Sequence, residues 1–178
     1  MLTKFAFFDF DDTLIHGDSG GKLLKYYLKR HPLSVFRLLK VVYHYALYLL
    51  KIEPLNKAKS AWLYPLDYMN DQEIEKFYQE ELEPCYYLNV IEELKKKKAE
   101  GYIIYICSAS AEAYLRFCKL PVDEILGTKT LIKENKYTSQ MIGKNCKNEE
   151  KVKRIQEMIK NHNLEIDYDL SYAYSDSL

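Results

Sequence analysis

A short apolar run, Phe5-Ala6-Phe7-Phe8, leads directly into Asp9, and a second carboxylate, Asp11, follows two residues later with Thr13 behind it. The run is too short for a lone helix and rich in aromatics, so it reads as a buried parallel strand, expected over residues 5–10. In an extended strand, positions i and i+2 point the same way, which would bring Asp9 and Asp11 together while Phe10 enters the core. Two carboxylates at the end of a buried strand lose hydration and repel each other. A hard divalent cation is their usual partner, and the carboxyl edge of an open α/β sheet is their usual place. Two surface aspartates in a turn are the plainer alternative, and the apolar lead-in argues against them.

The rest of the chain divides into an all-helical stretch and an alternating one. From Lys22 to about Glu83 the pattern is helical, with Leu23, Leu24, Tyr27 and Leu28 on one face. Pro32 is expected to open a second helix from Leu33, and Pro54 to begin a third. Asn70 and Glu73 have the spacing of a capped start for a helix over 71–82. After Pro84, helix and strand alternate. A helix over 88–100 ends at the C-cap glycine Gly101, a strand runs over 102–107, and a helix is expected from Ser110, its N-cap, to Lys119. A strand over 125–132 then forms a hairpin with 137–142, Asn148 caps a helix over 149–162, and a last strand covers 170–175. This order predicts an α/β class with a doubly wound parallel sheet. The helical block is an insertion after strand one, giving 1–17 and 85–178 as core and 18–84 as insertion.

Four segments in this order resemble the motifs of the haloacid dehalogenase-like (HAD) phosphohydrolases. They are Phe7 to Thr13, the strand Tyr102 to Ser108, Lys151 at the start of a helix, and Tyr172 to Ser177 with its Asp176. Ser108-Ala109-Ser110 and Val122 to Thr128 are similar to the phosphoserine-phosphatase-like branch, which has a helical cap inserted after the first motif. The resemblance implies a Rossmann-like core with an all-helical cap. It implies Asp9 as nucleophile and Asp11 as general acid then base. Thr13 is expected to support the turn and keep Asp11 oriented, and Asp12 occupies a position where the family most often has glycine. The resemblance further implies phosphate binding by Ser108 and Lys151. Composition alone leaves Lys147 and Lys153 as plausible as Lys151, and only the family pattern selects it. Mg²⁺ is the implied cofactor, held by Asp9, the main chain of Asp11, and Asp176. Asp18 lies near the position where phosphoserine phosphatases carry a glutamate that binds the substrate's amino group. It is therefore the expected substrate-binding residue, one methylene shorter. The family pattern also has a second acid three or four residues after the first acid of its fourth motif, followed by an edge strand. The given sequence stops at Leu178, and the expectation is a longer protein.

With 26 basic and 26 acidic residues the formal charge balances, which gives no reason to expect a nucleic-acid partner. The run Lys95 to Lys98 reads as a solvated helix face. Cys85, Cys107, Cys118 and Cys146 lack Cys-x-x-Cys spacing and read as reduced thiols of a cytoplasmic protein. The apolar stretch 33–52 contains Arg37, Lys40, His44 and Lys51. Central charges of this kind cost about 2.5–3.5 kcal/mol each in a membrane-spanning helix. The favoured placement is a helix packed within the insertion, and an interfacial helix on a membrane is the alternative. The expected activity is hydrolysis of a small-molecule phosphate ester. Transfer to a second hydroxyl, action on a lipid phosphate at a membrane surface, and a non-catalytic scaffold are the competing readings.

Overall fold

The computed structural model describes residues 2–176, so Ser177, the last residue of the fourth motif, lies outside them. Its centre is a four-stranded sheet of order β3-β2-β1-β6, formed by β1 (Phe5–Phe8), β2 (Ile103–Ala111), β3 (Glu124–Thr128) and β6 (Tyr172–Tyr174). All pairings are parallel, with Phe5 opposite Ile103, Phe8 opposite Ile106 and Ala6 opposite Tyr172.

Alternation along β1 and β2 divides the core between the two sheet faces. Ala6, Phe8, Ile104 and Ile106 join the larger cluster with Ile91 and Leu94 of α5 (Leu88–Ala99) and the inserted helices. Phe5, Tyr105 and Cys107 turn to the other face, under Ile159 of α7 (Glu149–Asn161). Each fully buried aromatic contributes roughly 1.5–3 kcal/mol. This two-sided burial explains why the β1 sequence is a continuous apolar run. The helix α5 ends as expected, with Gly101 at φ 81° just past its last turn.

The inserted block contains α1 (Ser19–Arg30), α2 (Leu38–Leu49), α3 (Leu55–Trp62) and α4 (Asp71–Phe77). The Asn70 capping box forms in full with Glu73. Two chain segments join the block to the sheet side by side: His16 N–H donates to Cys85 O at 2.8 Å and Tyr87 N–H to Leu14 O at 2.9 Å. The hairpin of β4 (Thr130–Lys133) and β5 (Lys136–Met141) is antiparallel and separate from the main sheet. It leans on the helical block, with the Ser139 N–H and hydroxyl donating to Asp67 at 2.7 and 2.8 Å and Met141 N–H to Ser60 Oγ at 3.0 Å.

Several sequence expectations change. The strand expected over 5–10 stops at Phe8, because Asp12 takes the left-handed conformation at φ 52° and the chain turns there. Pro32–Arg37 forms a 3₁₀ segment, so α2 begins at Leu38 rather than Leu33. The helix expected over 71–82 changes to a π-turn at Tyr78–Leu82. The strand expected over 125–132 is two strands in different sheets. Asn148 sits at φ 51° and makes no capping hydrogen bond. The helix expected from Ser110 to Lys119 shrinks to α6 (Glu112–Leu115), because β2 continues through Ala111. The four cysteines are free thiols. The stretch 33–52 is packed along one side only. Val41 is buried, while Leu33, Phe36 and Leu39 are 81, 71 and 72% exposed. Among the described residues no helix is long and apolar enough to cross a membrane.

Candidate active site

Asp9 follows the last residue of β1 at the carboxyl edge of the sheet, and its N–H donates to Tyr174 O of β6 at 2.9 Å. Its carboxylate is held from two sides. Lys151 Nζ lies 2.6 Å from Oδ2, and Phe10 N–H donates to Oδ1 at 2.7 Å. Lys151 is in the first turn of α7 and Lys153 points elsewhere, toward Glu157 at 3.7 Å. Arg154 anchors that helix. Its guanidinium donates to Gly127 O at 2.6 Å and Lys144 O at 2.8 Å, and pairs with Glu150 at 3.0 Å. Three acceptors are thus gathered by one rigid fork, and Lys151 is fixed one turn away.

Asp11 faces a different set of partners. Ser110 Oγ donates to its Oδ2 at 2.6 Å and Ser19 N–H to its Oδ1 at 2.9 Å. The Ser19 hydroxyl lies 2.6 Å from Ser110 Oγ and 3.0 Å from Tyr114 OH. The carboxyl is therefore tied to β2 and to the N-terminus of α1, whose dipole favours an anion there. Burial pushes the Asp11 carboxyl above the ordinary carboxylate range, and these hydrogen bonds pull it partly back. Since the strand ends at Phe8, alternation does not aim Asp9 and Asp11 at one point. A turn aims Asp9 at α7 and Asp11 at the helical block, while Phe10 between them is fully buried.

The turn itself is braced twice. Asp12 Oδ1 accepts the Gly17 N–H at 2.7 Å, so this residue ties the turn from a left-handed backbone. Thr13 Oγ1 accepts the Asp176 N–H at 3.0 Å. Thr13 thus connects the β1 turn to the end of β6, rather than orienting Asp11 as the sequence suggested; Ser110 and Ser19 do that.

Ser108 is fully buried near the end of β2, and its Oγ accepts the Ser110 N–H at 3.0 Å. The β2–β3 register shifts between Cys107 and Ala111, an irregularity of the kind that re-aims side chains beside sites. Gly127 permits it, since a Cβ there would lie 2.8 Å from Ser110 O and 2.8 Å from Glu112 Cγ. Ser110, expected as a helix cap, is instead the hydroxyl that holds Asp11. The backbone N–H groups expected from a long helix after Ser108 are not offered by the four-residue α6.

Asp18 caps α1. Its Oδ2 accepts the Gly21 N–H at 2.5 Å. With Lys59 it also lines an apolar groove of about 560 Å³ between α2 and α3 that includes Val42, Leu49 and Trp62. Lys59 escaped sequence reasoning. Its Nζ donates to Ala109 O at 2.5 Å and to Asn145 Oδ1 at 2.6 Å, beside the Ser108–Ser110 bend. Thr128 Oγ1 completes the network, 2.7 Å from Ala109 O and 2.8 Å from Asn145 Oδ1. Burial pushes the Lys59 ammonium down to about 8, against the pull of Asp11 and Asp18. An amphipathic helix with one more lysine carries no signal for this; only the approach of α3 to the β2 edge does.

The residues named for a metal bring oxygen donors only, which suits a hard cation such as Mg²⁺. Among the described residues no three His, Cys, Asp or Glu side chains gather as a metal group. The side chain of Asp11 is turned to Ser110 and Ser19, so its contribution would be the main-chain carbonyl, beside the carboxylates of Asp9 and Asp176.

Comparison with known proteins matches this architecture to solved folds. A protein from Bordetella pertussis Tohama I, described as of unknown function, superposes with a TM-score of 0.77 at 18% identity, over 97% of this chain and 82% of that one. A substrate-bound phosphoserine phosphatase gives 0.65 at 16% identity, over 97 and 77%. A phosphoserine phosphohydrolase-like protein from Francisella tularensis gives 0.61 at 19% identity, over 88 and 74%. No curated protein matches the sequence significantly. The family model for haloacid dehalogenase-like hydrolases matches residues 6–178. With that match across nearly its whole length, and with a parallel sheet at its centre, the chain belongs to the haloacid dehalogenase-like hydrolases.

Proposed function

We propose that this hydrolase is a Mg²⁺-dependent phosphomonoesterase that works through an aspartyl phosphate on Asp9, with residues 18–84 as its cap. The observation that carries the reading is the division of labour between two neighbouring carboxylates. The Asp9 carboxylate is paired with the Lys151 ammonium at 2.6 Å, while burial raises the Asp11 carboxyl above the ordinary carboxylate range.

The Asp9 carboxylate attacks phosphorus and forms an acyl phosphate as the ester oxygen departs. Asp11 gives its proton to that leaving oxygen. It then takes a proton from the water that cleaves the acyl phosphate, which returns Asp9 as carboxylate and releases inorganic phosphate. Ser108, whose hydroxyl donates to no described residue, is available to a phosphate oxygen, and Lys151 can neutralise another. A Mg²⁺ ion held by Asp9, Asp176 and the Asp11 carbonyl would supply charge neutralisation at the phosphoryl oxygens. Lys59 is a further cation at the rim, carried by the cap. Asp18 is occupied in capping α1, so recognition of a substrate ammonium is tested by Asp18→Asn. Unchanged discrimination between amino and non-amino phosphate esters would remove that role.

The decisive experiment is release of inorganic phosphate from soluble phosphate monoesters with added Mg²⁺. The protein should be active, and Asp9→Asn should lose turnover by several orders of magnitude with an unchanged circular dichroism spectrum. Full activity in Asp9→Asn would end the covalent mechanism.

A further inference from the structure

The substrate class is written in the cap. The groove between α2 and α3 is lined almost entirely by apolar side chains, and its two charged members are Asp18 and Lys59. Both connect it to the candidate active site. Lys59 is bonded to Ala109 O between Ser108 and Ser110, and Asp18 precedes Ser19, whose N–H binds Asp11. A ligand that filled the groove would therefore be apolar along its length and polar where it reaches the carboxylates.

The groove also opens toward an unusual surface. On α2, Leu39, Val42, Tyr43 and Leu49 are exposed at helical spacing, and Leu33, Phe36 and the C-cap Leu50 extend the patch. Such a contiguous apolar face on an otherwise soluble fold marks an interaction surface. Its charge is one-sided. Residues 19–52 contain seven Lys and Arg and no Asp or Glu, in a chain whose 26 basic and 26 acidic residues balance. Lys29, Lys40 and Lys51 are exposed. An apolar stripe flanked by lysines matches the interface of an anionic bilayer. A second copy of the same face would meet it with like charge.

We infer that the α2 face lies on an anionic membrane surface and that the groove takes the hydrocarbon chain of a lipid phosphate monoester, presenting its phosphate to Asp9. This rests on the phosphomonoesterase reading above. It concerns which ester is used, not how it is cleaved.

The test has two arms on the same protein. In the first, kcat/KM is measured for ethyl, butyl, hexyl and octyl phosphate as dissolved monomers. It should rise about 4-fold per added methylene while the chain lengthens within the groove, and Val42→Glu with Leu49→Glu should lower the octyl-to-ethyl ratio. In the second, the protein is spun with phosphatidylcholine vesicles, with and without phosphatidylglycerol. It should sediment with the anionic vesicles only, less so at high salt, and Phe36→Glu with Leu39→Glu should release it. Hydrolysis of ethyl and octyl phosphate at equal efficiency overturns the inference and leaves the phosphomonoesterase reading standing. So does failure to sediment with anionic vesicles, or a dimer in velocity sedimentation that the Phe36→Glu, Leu39→Glu variant dissociates. Hydrolysis of no ester in the series, with Mg²⁺ present, removes the phosphomonoesterase reading and this inference with it.

Discussion

Replacing Ser110 with alanine separates what positions Asp11 from what makes it reactive. Ser110 is 4% exposed, and its hydroxyl donates to Asp11 Oδ2 at 2.6 Å. A buried hydrogen bond to a carboxylate contributes about 1.5–3 kcal/mol, because the alternative is an ionised oxygen with neither water nor donor. Ser19 keeps its second partner, Tyr114, so little is lost on that side. Ser110→Ala should therefore destabilise the fold at pH 7 by about 1.5–3 kcal/mol, or roughly 3–12 °C in Tm for a chain of this size.

The pH dependence carries the sign. In the native fold Asp11 is already raised above its unfolded value of about 3.9. Folding stability thus falls as pH rises through the window between the two values, since there the folded state holds the extra proton. Losing the Ser110 bond raises the folded value further and extends that window upward. Below about pH 3 Asp11 is neutral in both states, and the part of the destabilisation that depends on charge disappears. Urea unfolding from pH 3 to pH 8 measures this directly. The alkaline limb of kcat/KM, which reports loss of the Asp11 proton, should move up in Ser110→Ala and return in Ser110→Thr. A destabilisation of equal size at pH 3 and pH 7, with an unmoved limb, would refute the assignment of Ser110 to the Asp11 charge.

Other substitutions test other parts of the site. Lys59 loses its charge as pH rises through about 8, whereas an unfolded lysine does so near 10.4. Stability should therefore rise across that window while activity falls, and Lys59→Arg should abolish this limb of the rate profile because arginine stays charged. Gly127→Ala forces a Cβ to within 2.8 Å of Ser110 O, so it should cost about 1–3 kcal/mol by thermal unfolding and lower kcat by displacing Ser110. Chelation by EDTA should stop phosphate release and added Mg²⁺ restore it, with Asp176→Ala raising the Mg²⁺ concentration required. Asn70→Ala removes a capping box remote from the site, so it should lower stability by about 0.5–2 kcal/mol and leave kcat unaltered.

Much of the core could be read from residue order because the relevant forces are local or periodic. The two-sided apolar run of β1, the Gly101 helix end and the Asn70 capping box each follow from a few adjacent residues. The pairing of Asp9 with Lys151 spans most of the chain, and only the family's motif order pointed to it. The errors have a common cause. Ser110 has the local character of a helix cap, yet the strand continues through it because Asp11 and Ser19 offer it better partners from distant segments. The apolar stretch 33–52 satisfies the pattern of a packed helix, yet folding leaves it with too little neighbouring surface to cover it. Residue types and their short-range spacing thus determined, by themselves, the buried β1 run, the Gly101 helix end, the Asn70 cap and the chemistry available at Asp9 and Asp11. Only the tertiary structure decided which cation, hydroxyl and groove meet those carboxylates. Lys59, Ser110 and the α2 face come to the site through long-range packing, and no local pattern encodes such contacts.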